Sequence, residues 1–338
     1  MDASDTINVI LIGAGRIGRV HLDAWRSVSG VRVAAVCDES QEALGRVAGI
    51  GISTGTCAAT LLDRGDYDIA SICTPPDSHL RMARLCFERG VDVLSEKPFT
   101  IGLRQARDFV ASAEEHGRRF LMATKFRHVP AVRAAHRLIH DGAIGEPLTF
   151  TIEFSAPVDM SRRWTSLAEV SGGGVIIDNG CHALDLARFL FEDIEAIHAV
   201  RLKQVQDLDV EDSAVLSLLM NSGVRGTITV SWSFRSAGDS YVTVRGSRGA
   251  IEIGWHASFL HVEGQGTTKI GEAYDKAAVH RHMMAACAKW IRGEEPPWII
   301  PEDCIACVAA VDAAYASLDS GEWVGLAERR RAASIRGD

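Results

Sequence analysis

A short apolar stretch that runs directly into a glycine-rich turn constrains the fold of this chain more than any other feature. Residues 8–12 (NVILI) form a continuous apolar run, as expected of a strand that is buried on both faces. Residues 13–18 (GAGRIG) match the pattern GxGxxG, and a helical pattern follows to about Ser29. Residues 31–38 (VRVAAVCD) then predict a second strand that ends in Asp38. This order of strand, glycine turn, helix and acid-terminated strand predicts a dinucleotide-binding βαβ unit.

Each glycine of the turn has a distinct expected role. Gly13 permits the tight turn, Gly15 lets the backbone approach a pyrophosphate, and Gly18 lets the helix pack closely on the sheet. The N–H groups at the start of the helix, around Arg16 and Ile17, are expected to face the phosphate anion. A glycine turn that binds no ligand is the alternative.

Asp38 lies 20 residues beyond Gly18, where such units carry the acid that binds the adenosine ribose. Its carboxylate would accept hydrogen bonds from the ribose hydroxyls and repel a 2′-phosphate, which favours NAD over NADP. Arg16 argues in the other direction, because a nearby arginine can accommodate a 2′-phosphate. We give Asp38 the greater weight and predict NAD as the cofactor.

The alternation of strands and helices continues to about residue 124. Asp77 is expected to cap the helix that follows the turn Thr74-Pro75-Pro76, and Gly90 is expected to end that helix. Strands and helices at this spacing indicate a parallel, doubly wound sheet. The further predicted elements are strands at 67–73, 91–95 and 120–124 and helices at 77–89 and 103–116.

Ligands of doubly wound sheets bind beyond the carboxyl ends of the strands. Asp38, Thr74-Pro75 and Glu96-Lys97 follow predicted strands directly, as the glycine turn does, so we expect all of them to line one crevice. Lys97 lies between Glu96 and Pro98, and its ammonium group is expected to point into the crevice and stabilise a developing alkoxide. A surface lysine paired with Glu96 is the alternative.

The pattern changes after about Lys125, which predicts two domains, residues 1–123 and residues 124–338. After a helix at 131–141, the second domain reads as a mostly antiparallel, open sheet with helices on one face. Its predicted strands are 148–156, 196–203, 213–220, 226–234, 241–245 and 250–254, followed by helices at 275–292 and 301–318. The basic run Arg329-Arg330-Arg331 is expected to be a solvated chain end.

Composition narrows the class of protein. The net charge of −8 argues against a nucleic-acid or membrane-surface binder, since phosphate groups require a basic face. No signal peptide is visible and no stretch reaches the ~18 apolar residues of a membrane helix, so we expect a cytoplasmic protein. The eight cysteines are expected to be reduced and buried, and Cys304 and Cys307 to be ordinary helix residues despite their CxxC spacing.

The segment after Gly172-Gly173-Gly174 is the strongest candidate for catalysis. Residues 175–191 read as a helix, with Asp178, His182 and Asp185 on one face. Burying two carboxylates beside a histidine costs free energy, which a core alone would not select. Three interpretations remain: a histidine satisfied by its helix neighbours, a metal site, and a general base for alcohol oxidation. The metal site is disfavoured because no second His or Cys cluster has a matching spacing.

Several motifs, taken in order, resemble one known family. They are GAGRIGRVH, the acid after the second strand, TPPDSH, EKP, GGGVIIDNGCHALD and the closing PEDCIACVAAVDAAYASLDSGEWV. Together they resemble the glucose–fructose oxidoreductase / inositol dehydrogenase / rhizopine-catabolism family over nearly the whole chain. The resemblance implies a Rossmann domain, an α/β domain with an open sheet, and NAD(P)-dependent oxidation or reduction of a sugar, cyclitol or related hydroxyl.

By position, the resemblance implies that Lys97, Asp178 and His182 form the catalytic set. We predict His182 as the general base, Lys97 as its electrostatic partner, and Asp178 as the group that orients the imidazole or a substrate hydroxyl. Arg127 falls where the family commonly has an arginine near the substrate. The sequence FRHVP around it departs from the family's common wording, RRF-D-P, which weakens any transfer of substrate contacts.

We therefore predict an NAD-dependent dehydrogenase that acts on a ring bearing several hydroxyls, with no metal. The expected substrate contacts are Arg127, His128, Trp164, Asp178 and His182. A ketoreductase, a redox-assisted glycosidase that holds NAD tightly, and a non-catalytic dinucleotide-binding sensor are the alternatives. The sensor is disfavoured because a pure binder has no need of a proton-transfer set.

A homodimer or homotetramer is expected to form through the open sheet of the second domain. The strands at 148–156 and 226–234 should have one face that the helices leave uncovered. Apolar side chains on that face would form an exposed patch too large for a stable monomer. The expected patch consists of Phe150, Ile152, Phe154, Ile228, Val230 and Trp232.

Overall fold

The computed structural model of the protein describes residues 6–326 except for residues 48 and 50, so the basic run at 329–331 lies outside the described residues. The chain forms two compact units. The first contains the chain up to Lys125 and again from Lys276 to Ile305, and the second contains Phe126 to Asp275 and the chain from Ala306 onward. The predicted domains, 1–123 and 124–338, are continuous, whereas segment 276–305 returns to the first unit.

The first unit contains a six-stranded parallel sheet with the strand order β3-β2-β1-β4-β5-β6, which confirms the predicted doubly wound fold. Its strands are β1 (Ile7–Ile12), β2 (Val31–Cys37), β3 (Ser53–Gly55), β4 (Ile69–Ile72), β5 (Asp92–Ser95) and β6 (Phe120–Met122). The helices between them are α1 (Arg16–Arg26), α2 (Gln41–Gly45), α3 (Ala58–Leu62), α4 (His79–Phe87) and α5 (Leu103–Glu115).

Two local features of this unit differ from the sequence prediction. The short elements α2, β3 and α3 were not predicted, because three to five residues are too few to show a hydrophobic period. Asp77 does not cap α4, since Pro76–Ser78 form a 3₁₀ turn and α4 begins at His79. The Ser78 hydroxyl lies 2.6 Å from Thr74 Oγ1 and 2.7 Å from the Pro75 carbonyl, which tightens the segment before the helix.

The second unit contains a nine-stranded sheet with the order β14-β13-β12-β11-β7-β10-β9-β8-β15. Only β7 and β10 pair in parallel, so the predicted mostly antiparallel sheet is confirmed. The strands are β7 (Pro147–Ser155), β8 (Ile194–Arg201), β9 (Ser213–Met220), β10 (Arg225–Ser231), β11 (Ser240–Gly246), β12 (Gly249–Gly254), β13 (Ser258–Val262), β14 (Gly266–Gly271) and β15 (Val324–Gly325). The helices are α6 (Pro130–His140), α7 (Ala168–Ser171) and α8 (Cys181–Phe191).

The predicted exposed apolar patch on this sheet is wrong. All six of its side chains are buried within the chain itself, with exposed fractions between 0% and 7%; they are Phe150, Ile152, Phe154, Ile228, Val230 and Trp232. Phe150, for example, stacks on Phe191 of α8 with ring centroids 4.6 Å apart. A period of two residues separates the faces of a strand, and the apolar face is the one that packs against the helices. On β7, the opposite face carries Thr149 and Thr151, which are exposed.

Two long helices complete the described chain: α9 (Lys276–Ile291) and α10 (Pro301–Ser320). In the first unit α9 packs on α1, where the rings of His21 and His280 lie 6.0 Å apart, and Arg292 Nη2 donates to the carbonyls of Ser29 and Gly30. Cys304 and Cys307 are buried residues of α10, as predicted, whereas Cys57 is exposed. Among residues 6–326, leaving out 48 and 50, no helix is both long and apolar enough to cross a bilayer.

Candidate functional site

The glycine turn after β1 has three glycines with different surroundings. Gly13 has a φ of +98°, and a Cβ there would lie 2.7 Å from the Cys73 backbone. A Cβ on Gly18 would lie 1.9 Å from the Gly13 carbonyl oxygen, so this close contact between helix and turn requires glycine. At Gly15, in contrast, a Cβ would meet no atom within 4 Å. The open side of the turn is therefore at Gly15, where a ligand backbone can approach.

The end of β2 places Asp38 beside this turn. Asp38 Oδ2 accepts the Ala14 N–H at 2.6 Å, and Oδ1 accepts the Ser40 N–H at 2.8 Å. Helix α1 begins after Gly15 without a side-chain cap, so its first N–H groups, including those of Arg16 and Ile17, are oriented to receive an anion. A turn open at Gly15, a helix start without a side-chain cap and a fixed carboxylate fit the pyrophosphate and ribose of a dinucleotide.

The segment after β4 closes on the same turn. Thr74 N would lie 3.0 Å from a Cβ on Gly13, and the Thr74 carbonyl lies 2.8 Å from His79 Nε2. His79 Nδ1 lies 3.2 Å from the Phe99 carbonyl, so this imidazole joins the segments that follow β4 and β5. Burial lowers the pKa of His79, which favours a neutral ring, and such a ring can donate its single N–H to only one of these two carbonyls. Thr74 is thus held beside Gly13 at the carboxyl edge of the sheet.

Glu96, at the end of β5, is buried and faces the interior of the first unit. Its Oε1 lies 2.9 Å from His21 Nε2, and its Oε2 accepts the Lys97 N–H at 3.0 Å. His21 Nδ1 lies 2.9 Å from Ser71 Oγ on β4. Burial alone would raise the pKa of Glu96, but His21 holds it well below its ordinary value. This buried carboxylate therefore fixes the main chain at Lys97.

Two residues near this edge were missed from the sequence. His21 is buried on α1 together with Gly18, Leu22 and Trp25, at the 3–4-residue spacing of one helix face, and this spacing could have identified it. Burial alone would lower the pKa of His21, whereas Cys73 and Glu96 raise it above its ordinary value, which favours the protonated imidazole. Lys276 begins α9, and partial desolvation and Arg16 lower its pKa. Nothing in the sequence around Lys276 indicated a position near Arg16.

In the second unit, Asp178 and His182 lie on consecutive helical segments. Ile176–Gly180 form a π-helical turn that contains Asp178, and His182 follows on α8. His182 is 8% exposed, and its ring lies edge-on to Phe126 with centroids 5.1 Å apart. The wider π turn alters the simple α-helical spacing that the sequence prediction assumed, and such turns are frequent at functional sites.

Arg127 and Asp185 form a buried ion pair in the same unit. Arg127 Nη2 donates to Asp185 Oδ1 at 2.7 Å, and Nε lies 3.1 Å from both carboxylate oxygens. The side chains are 4% and 3% exposed. Asp185 was predicted to flank His182, but Arg127 is the cation that balances its buried charge. The guanidinium of Arg127 is correspondingly engaged, so its predicted contact with substrate remains a prediction.

The remaining predicted substrate contacts differ in exposure. His128 is buried, whereas Trp164 is 42% exposed on a short 3₁₀ turn, Trp164–Ser166. Within the part of the chain that the structure describes, His, Cys, Asp and Glu side chains form no group of three or more that could hold a metal ion. The first unit therefore brings the predicted cofactor residues to one sheet edge, and the second unit holds Arg127, His128, Trp164, Asp178 and His182.

The chain matches two family descriptions along its length. Residues 7–124 match an oxidoreductase family with an NAD-binding Rossmann fold, and residues 132–252 match the GFO/IDH/MocA C-terminal domain. These ranges agree with the parallel sheet of the first unit and with the open sheet of the second.

Individual proteins agree with these matches. A D-apiose dehydrogenase of Paraburkholderia graminis is 30% identical over 338 residues, which cover 94% of this chain and 88% of that protein. An inositol 2-dehydrogenase of Rhizobium meliloti is 27% identical and covers 95% of this chain and 100% of its own length. A crystal structure of an oxidoreductase from Agrobacterium radiobacter in complex with NAD⁺, L-tartaric acid and magnesium has the same fold (TM-score 0.84, 23% identity, 96% of this chain and 99% of that chain). The chain belongs to the GFO/IDH/MocA oxidoreductase family, and its first domain is an NAD-binding Rossmann fold.

Proposed function

We propose that the protein is an NAD-dependent dehydrogenase that oxidises a secondary hydroxyl of a sugar, aminosugar or cyclitol to a ketone. The observation that carries the proposal is that Gly15, Asp38 and Lys97 follow β1, β2 and β5 at one carboxyl edge of the parallel sheet. A glycine turn suited to a dinucleotide, together with a lysine that follows another strand of the same sheet, suits hydride transfer better than binding alone. Relatives named D-apiose dehydrogenase and inositol 2-dehydrogenase support a polyol substrate.

The chain's own residues would manage the proton and the developing charge. When bound, NAD supplies the hydride acceptor. In this proposal a ring nitrogen of His182 takes the hydroxyl proton, and Asp178 orients the imidazole or a substrate hydroxyl. The Lys97 ammonium stabilises the alkoxide character that develops on the same oxygen. Trp164 and His128 are proposed substrate contacts, with the exposed face of Trp164 suited to the less polar face of a ring.

The test is the appearance of reduced nicotinamide when the protein and NAD are mixed with inositols, hexoses, pentoses and aminosugars. We expect NADH formation with at least one ring polyol and none with simple aliphatic alcohols or 2-hydroxy acids. NADH formed only from the latter compounds would contradict the proposal. Glycoside cleavage without net NADH would instead select the redox-assisted hydrolase, and NAD binding without any turnover would select the sensor.

Asp38 leads us to propose that NAD is preferred over NADP. Its carboxylate is fixed by two backbone N–H groups beside the glycine turn, and it would repel a 2′-phosphate. Titration of the protein with each cofactor tests this preference. Equal or tighter binding of NADP would mean that Arg16 dominates, and Asp38→Ser should then change the preference little.

We also propose a cytoplasmic homodimer or homotetramer that forms through the uncovered face of the nine-stranded sheet. The support for this interface is a wide sheet face with exposed threonines rather than the apolar patch first expected. Light scattering at micromolar concentration should give two or four chain masses, and Thr151→Arg at the centre of the face should lower that mass. A monomeric wild-type mass would contradict the oligomer.

A further inference from the structure

A buried carboxylate accepts hydrogen bonds from the start of the helical segment that carries Asp178 and His182. Glu211, immediately before β9, is 2% exposed. Its Oε1 accepts the Ile176 N–H at 3.0 Å, its Oε2 accepts the Gly174 N–H at 3.2 Å, and its backbone carbonyl accepts the Val175 N–H at 2.9 Å. The first N–H groups of a helix have no intrahelical acceptor. Glu211 thus supplies acceptors for three consecutive N–H groups.

Tyr315 on α10 completes this arrangement. Its hydroxyl donates to Glu211 Oε1 at 2.8 Å and accepts the Gly174 N–H at 3.0 Å. The carboxylate is therefore fixed by α10 as well as by the helix start, and neither side chain can turn without breaking a contact of the other.

The preceding glycines are explained by the same contacts. A Cβ on Gly173 would lie 2.0 Å from the Tyr315 hydroxyl oxygen, and a Cβ on Gly174 would lie 2.1 Å from the Glu211 carbonyl oxygen. The Tyr315 ring and the Glu211 backbone therefore occupy the space that side chains at these two positions would need, so glycine at both positions lets these residues hold the segment.

Helix α10 also contacts the far end of the segment. Cys307 Sγ lies 3.5 Å from the Cys181 carbonyl at the start of α8. Cys307 and Tyr315 are eight residues apart on α10, and they contact Cys181 and Gly174, which are seven residues apart in the opposite order. The two segments therefore run antiparallel along the π turn, with one contact at each end.

We propose that Glu211 and Tyr315 are positioning residues that set the orientation of the π turn and of α8, and through them the placement of Asp178 and His182. This inference rests on the proposed function, since it concerns the groups that we propose move the proton. Burying a carboxylate among neutral hydrogen-bond donors costs free energy that an apolar residue at the same position would not cost. Burial raises the pKa of Glu211, which reflects that cost. We attribute the presence of this buried carboxylate to the acceptors that Glu211 supplies for three N–H groups at the start of the proposed catalytic segment.

The test compares Glu211→Gln and Tyr315→Phe with a matched control, Ser317→Ala. Ser317 lies two residues beyond Tyr315 and is fully buried, and its hydroxyl contacts the Ala199 N–H and the Glu322 carbonyl rather than the π turn. Its loss therefore weakens the same helix without touching the segment that carries Asp178. Thermal unfolding identifies any variant that fails to fold, and Tyr315→Phe is the milder of the two changes.

Kinetics with the polyol found for the wild type give the first readout. We expect Glu211→Gln to lower kcat on the order of tenfold to a hundredfold, because a misplacement of about 1 Å costs on the order of 10²-fold. The dissociation constant of NAD should stay unchanged, Tyr315→Phe should show a smaller fall in kcat, and Ser317→Ala should keep the wild-type kcat. A wild-type kcat in folded Glu211→Gln, or an equal fall in all three variants, would overturn the proposal.

The second readout needs no activity. The imidazole signals of His182 in ¹H–¹⁵N spectra, assigned by their loss in His182→Ala, should shift in Glu211→Gln and Tyr315→Phe and stay in place in Ser317→Ala. Unshifted signals in the first two variants would refute the positioning role. If the wild type oxidises no polyol, the proposed function fails, and these signals still decide whether Glu211 and Tyr315 orient the segment.

Discussion

Two buried glutamates, one in each unit, hold the main chain beside a proposed catalytic residue by different means. Glu96 accepts the Lys97 N–H and faces the imidazole of His21, so its negative charge is balanced by a cation. Glu211 accepts the N–H groups of Gly174 and Ile176 and is fixed by the Tyr315 hydroxyl, so its charge is balanced by neutral dipoles. The surroundings have opposite effects on the pKa, which is lowered at Glu96 and raised at Glu211.

The difference shows that burial alone does not set the pKa of a buried carboxylate. At Glu96, burial would raise the pKa, and the ion pair with His21 outweighs it. At Glu211, burial is the largest effect, and hydrogen bonds from Ile176, Tyr315 and Gly174 offset it only in part. Removing His21 therefore leaves the negative charge of Glu96 without its counterion. Removing Tyr315 takes away only one of several hydrogen bonds to Glu211.

The largest expected effect concerns the two groups that these glutamates support. Lys97→Ala and His182→Ala should each lower kcat by roughly 10²–10⁴-fold, the usual contribution of a positioned proton-transfer group, while NAD still binds. Lys289→Ala and His256→Ala are matched controls, since both residues lie in surface ion pairs and should keep full turnover. Steady-state kinetics and NAD titration of the four variants measure this. Full activity of either test variant would remove that residue from the mechanism.

The next effect is on stability. His21→Ala leaves the buried Glu96 carboxylate without its cation, and breaking a buried ion pair in this way costs about 3–5 kcal/mol. Tyr315→Phe removes one hydrogen bond to Glu211 and should lower the free energy of unfolding by no more than about 3 kcal/mol. Amide hydrogen exchange of peptides from β4 and β5, and from α8 and β9, reports the two units separately.

Two further variants test whether the ion pair accounts for the loss of unfolding free energy in His21→Ala. His79→Ala removes an equally buried imidazole whose neighbours are carbonyl groups, so it should cost less than His21→Ala. The double variant His21→Ala/Glu96→Gln should recover part of the loss, because the stranded charge is gone. A loss in His21→Ala no greater than that in His79→Ala would mean that the ion pair contributes little.

The carboxyl edge of the first unit could be predicted because its determinants are local. Gly13, Gly18 and Asp38 lie in one βαβ unit, where strand, turn and helix are adjacent in the sequence and fix one another's geometry. Lys97 was predicted to line the same crevice because it follows a predicted strand, and the family resemblance placed it in the catalytic set. His21, the partner of Glu96, and Ser71, the second partner of His21, were missed because they come from two other elements, and only the helical face of His21 gave a signal.

The second unit was harder to predict because its contacts join distant parts of the chain. Asp178 and His182 were identified from their spacing and motif, but Glu211 and Tyr315 approach Gly174 from 37 and 141 residues away. The exposed face of the sheet was assigned wrongly because alternation does not tell which face the helices cover. Strand β14 was missed because its mostly exposed, polar residues show no apolar period, and β13 was missed because Phe259 and Leu260 are adjacent and break the alternation.

Glycines extend the comparison to backbone contacts. Gly18→Ala and Gly174→Ala would each place a Cβ about 2 Å from a carbonyl oxygen, of Gly13 and Glu211 respectively, and each should cost about 1–3 kcal/mol. Gly15→Ala meets no atom within 4 Å and should leave stability within about 1 kcal/mol of the wild type while weakening NAD binding. Urea unfolding and NAD titration separate the two effects. Unchanged NAD affinity in Gly15→Ala would argue against the proposed approach of the pyrophosphate.

The last expected effect is the pH dependence of stability, which should have opposite signs for the two glutamates. The lowered pKa of Glu96 means that its contribution is present above the ordinary glutamate pKa of 4.5 and is lost as the pH falls through the lowered value. The raised pKa of Glu211 means that the folded state holds this proton more tightly. Its contribution is therefore present below pH 4.5 and is lost as the pH rises through the raised value.

Unfolding free energies of the wild type, Glu96→Gln and Glu211→Gln across pH 3–8 test these signs, because each difference from the wild type isolates one group. From pH 7 down to 4.5 the wild type should gain stability relative to Glu211→Gln, by about 1.4 kcal/mol for each unit by which the pKa is raised. Below pH 4.5 the wild type should lose stability relative to Glu96→Gln, since protonation of Glu96 removes the attraction to the His21 cation. If the difference in unfolding free energy from the wild type changed with pH in the same way for both variants, the two pKa values would not be shifted in opposite directions. That result would contradict the comparison of the two glutamates.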